Sequence, residues 1–189
     1  MRLERHRSQL LIIDMQDQIL AHAHEAQRVT QTCAHLIESA KRLKVPVMIS
    51  EQDPKTLGPT AAPLLDGADH TATIIGRTHF SCLRDGTLGP YLEAQHRFGC
   101  SQVVVAGTET HVSVGQTVLD LLDHGFGAFV VADAVASRHL DSHVLALDRL
   151  RQCGAQIVDF ETVLLEWLDR TGTDAFKDLE KLISKGGVS

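Results

Sequence analysis

Apolar positions fall in six short runs that do not alternate with polar ones: LLIID (10–14), VPVMIS (45–50), ATII (72–75), SQVVVAG (101–107), AFVVAD (128–133) and AQIVDF (155–160). Runs of this length, rich in β-branched residues, predict strands buried on both faces, as in a parallel sheet. Between them the period becomes helical. AQRVTQTCAHLIESAKRL sets Val29, Cys33, Leu36, Ile37 and Ala40 on one stripe, and Val45-Pro46 follows its end. TLGPYLEAQHRF (87–98) predicts a shorter helix. QTVLDLLDHG and DSHVLALDRLRQCG end on Gly125 and Gly154, residues suited to a helix stop. Strand and helix in repeated alternation predict a doubly wound α/β sheet with right-handed crossovers and helices on both faces. Beyond Asp169 the chain turns more polar. There TDAFKDLEKLI adds a small terminal helix and SKGGVS is expected to fray.

Length and composition narrow the picture. The chain has 189 residues, 43% hydrophobic and 22% charged, which suits one compact domain over 1–189, with a core from about 9 to 168 and a tail from 169. The net charge of −6 comes with interspersed cations and anions and no basic stripe, so no nucleic-acid partner is expected. No apolar stretch approaches the ~20 residues needed to span a bilayer, and no membrane partner is expected. The opening MRLERHRSQLLIIDMQ is basic and then apolar, but Asp14 cuts the apolar piece short of a signal sequence. Cys33, Cys82, Cys100 and Cys153 form neither a C-x-x-C pair nor a zinc pattern. Reduced thiols and a cytoplasmic location follow as expectations.

In a doubly wound sheet the ligand site lies beyond the carboxyl ends of the central strands. The polar residues expected there are Asp14 after the first strand and Ser50, Glu51 and Gln52 after the second. Arg77 follows the third, Glu109, His111 and Ser113 the fourth, and Asp133 the fifth. Asp14 also suits a turn and Ser113 a helix cap. The G-x-S-x-G elbow of serine hydrolases is absent. Periodicity alone therefore stops at an α/β domain with a polar cleft.

Five segments carry more than that. LLIIDMQDQIL, SEQDPKTLGPT, GRTHFSCL, VVVAGTETHVSVGQTVLDLLDHG and VVADAVASR, in this order and spacing, resemble the isochorismatase-like cysteine hydrolases, in particular the isochorismatase-domain-containing subgroup. The resemblance runs from about Gln9 into the tail. It implies a three-layer αβα sandwich around a mostly parallel six-stranded sheet, a homo-oligomer, a small-molecule ligand or substrate, and no cofactor. It also implies a catalytic triad in which Asp14 holds the family's aspartate position, while Arg77 stands at the lysine position and Ser113 at the cysteine position. A cis peptide is implied between Thr108 and Glu109, with the backbone N–H groups of Glu109 and Ser113 as an oxyanion hole. Gln16, Glu51, Gln52, Phe80 and His111 are the expected substrate-contacting residues. Nicotinamidase-like relatives hold a metal after the second strand. Here that segment reads Glu51-Gln52-Asp53-Pro54 without histidine, so no metal is expected.

The two replacements shape the chemistry. A thiol ionises near pKa ~8.5 and a serine hydroxyl is far less acidic, so serine nucleophiles normally rely on a His or Lys base. Arg77 stays protonated and cannot be that base, and its charge is expected to hold Asp14 ionised. Four readings follow. One is a hydrolase of small carbonyl or amide substrates with an Asp-Arg-Ser triad, in which His111 lines the cleft or, as a variant, substitutes as base. Another is an inactive ligand-binding or assembly protein in which the Arg77 fork clamps a carboxylate. A third is vinyl-ether hydrolysis with no nucleophile. A fourth is that Ser113 was introduced to trap substrate, a single change that leaves Arg77 unexplained.

Overall fold

The computed structural model describes residues 1–68, 70 and 72–186, with side chains through Ile183. All six expected strands form: β1 (Ser8–Ile13), β2 (Val47–Gln52), β3 (Thr73–Arg77), β4 (Gln102–Thr108), β5 (Gly127–Ala136) and β6 (Gln156–Val158). They lie in the order β3-β2-β1-β4-β5-β6, and every neighbouring pair is parallel. The connecting helices are α1 (Asp17–Leu20), α2 (Ala26–Leu43), α3 (Pro54–Leu57), α4 (Ala62–Ala68), α5 (Leu88–Arg97), α6 (Gly115–Asp123), α7 (Leu140–Gln152), α8 (Phe160–Leu168) and α9 (Asp174–Gly186).

The non-alternating runs make sense once both faces are covered. Successive strand residues point to opposite sides, and each side has its own core. Leu10, Ile12, Ile49, Val104 and Phe129 pack with α2, α4, α8 and α9, while Leu11, Ile13, Met48, Val103 and Val105 pack with α5, α6 and α7. A strand sandwiched this way has no polar face to show, which gives a three-layer αβα architecture.

Two elements differ from the sequence expectation. The run AQIVDF does not continue as a strand to Phe160. Strand β6 stops at Val158, and Asp159 accepts the Thr162 N–H at 2.8 Å, capping a new helix, α8, that buries Trp167. The apolar run masked this boundary because its last residue belongs to the helix. Strand β5 likewise runs past Asp133 to Ala136. Asp133 therefore sits within the strand, where its carboxylate accepts the Phe160 N–H at 3.0 Å. It anchors the start of α8 instead of facing the cleft. Helix α9 carries the tail to Gly186, so SKGGVS does not fray over its first three residues, and the last three lie outside the described residues.

Candidate active site

The strand order reverses direction between β1 and β4, so their carboxyl ends open the crevice where doubly wound sheets bind ligands. Gly107 brings these ends together. Its φ is +121°, and a Cβ there would lie 2.0 Å from the Ile13 carbonyl oxygen, so only glycine lets β4 approach β1 so closely. Asp14 then leaves β1 in a left-handed conformation (φ 54°), which aspartate tolerates better than most residues. Its N–H donates to the Ser50 carbonyl at 2.9 Å, and its carbonyl accepts the Thr108 hydroxyl at 2.6 Å. The backbone of Asp14 is thus fastened to both neighbouring strands, and its carboxylate has a fixed direction.

Arg77, the last residue of β3, reaches across the end of β2 to meet it. One terminal nitrogen, Nη2, donates to both Asp14 carboxylate oxygens at 2.7 Å. Nε donates to Ser50 Oγ at 2.7 Å, and Nη1 donates to Gln52 Oε1 and to the His79 carbonyl. A guanidinium has five N–H groups, and all five are engaged. The expectation that Arg77 could clamp a carboxylate ligand does not hold in this arrangement, because no donor is left over.

Asp14 and Arg77 are only 2% and 3% exposed, and Ser113 4%. This burial decides the electrostatics. Desolvation pushes the Asp14 carboxyl up to about 6, against the opposing pull of Arg77 and of a hydrogen bond with the Ser113 hydroxyl. This is the reverse of the shift expected from Arg77 alone: the neighbouring cation lowers the carboxyl, but the loss of water raises it by more. The result is a carboxyl group that exchanges a proton close to neutral pH, as acid-base catalysis requires.

Ser113 lies in a π-helical turn, Thr110–Val114, that links β4 to α6. The peptide bond entering this turn, Thr108–Glu109, is cis. Glu109 is 9% exposed; its Oε1 accepts the Arg138 Nε–H at 3.2 Å. His111 Nδ1 lies 3.0 Å from Ser137 Oγ and 3.4 Å from Glu109 Oε2, while Thr110 Oγ1 meets His143 Nδ1 at 3.0 Å. His111 and Ser113 leave the same turn, and the partners of the His111 Nδ1 are Ser137 and Glu109.

The remaining expected contacts divide. Gln16 is fully buried. Its amide donates to the Gln52 and Gly58 carbonyls (2.9 and 2.6 Å) and accepts the Gln52 N–H (2.8 Å), so it ties the end of β2 to the α3 loop. Glu51 accepts the Thr60 N–H at 2.7 Å. Gln52 joins Arg77 to the Thr78 carbonyl. Phe80 is exposed. One neighbour was expected only as a reduced thiol away from the site. Cys82 is completely buried, with Sγ 3.3 Å from the same Ser50 hydroxyl that receives Arg77 and its N–H donating to Thr117 Oγ1 at 3.0 Å. Burial pushes its thiol above the ordinary range. No spacing marks it, because it reaches the site through a loop. Among the described residues no group of three or more His, Cys, Asp or Glu side chains is arranged to hold a metal, and no helix is long and apolar enough to cross a membrane.

Fold and cleft together describe an α/β protein with a buried acid-base group at its topological switch point. Comparison with known proteins makes this specific. The isochorismatase domain family matches residues 8–162. Isochorismatase domain-containing protein 2 of Xenopus laevis is 37% identical, over 93% of this chain and 83% of its own length. Isochorismatase family protein 1A of Dictyostelium discoideum is 31% identical, over 93% and 85%. The chain belongs to the isochorismatase family. Among solved structures it is similar to the MAR1 ribonuclease from Caenorhabditis elegans, with a TM-score of 0.90 and 30% identity over 97% of this chain and 93% of that one. This similarity overturns the expectation of no nucleic-acid partner. That expectation rested on net charge and the lack of a basic stripe, and a sum over the whole surface does not report the potential above one cleft.

Proposed function

We propose that this chain is a hydrolase of the isochorismatase family acting on a small carbonyl or amide-type substrate through Asp14, Arg77 and Ser113, with arginine and serine at the family's lysine and cysteine positions. The observation that carries the reading is the Asp14 carboxyl, buried against Arg77 and Ser113 and titrating at about 6. Asp14 takes the proton from the attacking group, Ser113 or a water that its hydroxyl orients, and returns it to the leaving group. Arg77 keeps a fixed positive charge beside Asp14 and holds its orientation. The N–H groups of Glu109 and Ser113 receive the developing oxyanion. Phe80 and His111 line the substrate's approach, with Gln52 and Glu51 behind them.

A second reading, phosphodiester cleavage in RNA, is favoured by the similarity to the C. elegans ribonuclease. The same acid-base carboxyl would serve it. One experiment separates the two. The protein and its Asp14→Asn variant are assayed on amides, imides, vinyl ethers and a short RNA. Turnover of an amide or imide that is lost in Asp14→Asn and raised in the Ser113→Cys/Arg77→Lys double variant supports the carbonyl hydrolase. Cleavage of the RNA alone, dependent on Asp14, supports the second reading. Inactivity of every variant on the whole panel refutes both and leaves a binding protein.

A further inference from the structure

Beside the turn that carries Ser113, the first residues of α6 and the outer side of α7 form a groove of about 250 Å³ that Asp14, Arg77 and Ser113 do not line. Its walls are apolar where Leu145, Ala146, Leu150 and Gly115 contribute, and polar at three places, His111, Ser142 and Arg149. Leu145 is 70% exposed, an apolar side chain left open to water at the groove. Arg149 is exposed, and among the described residues its guanidinium has no hydrogen-bond or ion-pair partner. Its neighbour Asp148 is taken up by Arg151 at 2.7 Å.

The His111 end is built from behind. Its Nδ1 faces Ser137 Oγ and Glu109 Oε2, which directs the opposite nitrogen, Nε2, away from both. Glu109 is nine-tenths buried, and Oε2 has no hydrogen-bond partner although Oε1 is held by Arg138. A buried carboxylate oxygen without a donor is costly and calls for an occupant or a partner that completes it. A positive His111 ring would supply that donor through Nδ1 while presenting Nε2–H on its other side. The polar groups that meet this ring are Glu109 and Ser137, with Arg138 on the other Glu109 oxygen and His143 on α7 turned to Thr110 instead.

We infer that this groove binds a small organic carboxylate with an apolar body. The carboxylate takes the fork of Arg149 and the body covers Leu145 and Ala146. His111 supplies a second donor that Glu109 completes. An arginine fork matches the planar two-oxygen geometry of a carboxylate, and the apolar wall disfavours a bare inorganic anion. The site shares His111 with the substrate's approach but contains neither Asp14 nor Arg77, and Arg149 and Leu145, which the test changes, have no part in the hydrolase proposal, so the two can fail separately.

The probe is 2-naphthoate, titrated into the full chain labelled with ¹⁵N, with 2-naphthamide and inorganic phosphate as controls. Shifts are expected at Gly115, Ser142 and Ala146, with the neutral amide at least tenfold weaker and phosphate silent there. Arg149→Ala, an exposed helix position whose fold is checked by circular dichroism, weakens naphthoate at least tenfold and leaves naphthamide unchanged. Leu145→Glu blocks both. Equal affinity for the amide, shifts confined to another surface, binding of phosphate alone, or an Arg149→Ala variant that binds normally would each overturn the inference. So would an α7 face sealed in a dimer that Leu145→Glu dissociates and that takes up no naphthoate.

Discussion

Two carboxylates stand at the ends of neighbouring strands and live in opposite circumstances. Asp14, after β1, is buried against a cation whose every N–H is already committed. Glu109, after β4, is nearly as buried but has a single guanidinium contact, from a side chain more than half in water, and one oxygen with no hydrogen bond. The first cluster is a finished arrangement of a fixed charge and a carboxyl that exchanges a proton. The second is incomplete, and a ligand or a protonated histidine can still change it. Depth alone does not distinguish them. The number of satisfied donors and acceptors does.

The largest effect expected from breaking the contrast is on the finished side. Asp14→Asn keeps the shape but removes the group that exchanges the proton, and activity should fall by about 10²–10⁴-fold. Losing the counter-charge of Arg77 is offset by losing the desolvated carboxylate itself, whose burial holds it up at about 6, so urea denaturation at neutral pH should show a change well below the ~3–5 kcal/mol of an unpaired buried charge. A loss of that full size would mean that the ion pair outweighs burial at Asp14.

A somewhat smaller effect is expected with pH. The Asp14 carboxyl titrates near 3.8 unfolded and about 6 folded. Between those values the folded state holds a proton that the unfolded chain has released. Stability from this group therefore falls as pH rises through that window and levels off above it. At ~1.4 kcal/mol per unit the drop is on the order of 3 kcal/mol. The slope should be missing in Asp14→Asn. If Asp14 acts as the base, kcat/KM should rise along the same titration, and a falling limb would assign it as the acid.

The smallest effect belongs to the unfinished side. Arg138→Ala removes an exposed ion pair and should change stability by roughly 0–1 kcal/mol, measured by thermal unfolding in parallel with Asp14→Asn. A cost of several kcal/mol, as for a broken buried pair, would erase the distinction between the two clusters.

Much of this was legible along the chain. Strands buried on both faces announce themselves by failing to alternate, so all six were visible, and α2 was delimited by its apolar stripe and the proline that follows. The residues at the strand ends were legible too, since topology alone sends Asp14, Arg77 and Ser113 toward one rim. Asp133 misled because a polar residue inside a strand looks the same as one that ends it. Trp167 and its helix were missed because AQIVDF reads as one apolar unit although its last residue starts the next element. Cys82 lies in the segment GRTHFSCL, but nothing in that segment shows that its thiol packs behind Ser50.

What the amino-acid order determined by itself was the sheet, the order of its layers and the short roster of polar groups at its rim, because periodicity and strand-end position are local properties. The sign of the Asp14 shift, the saturation of Arg77, the placing of Cys82 behind Ser50 and the unmatched oxygen of Glu109 were decided only in three dimensions. Each depends on how much water is left around a group and on which distant donors arrive there, and those quantities come into being when β1, β2, β3 and β4 are packed side by side.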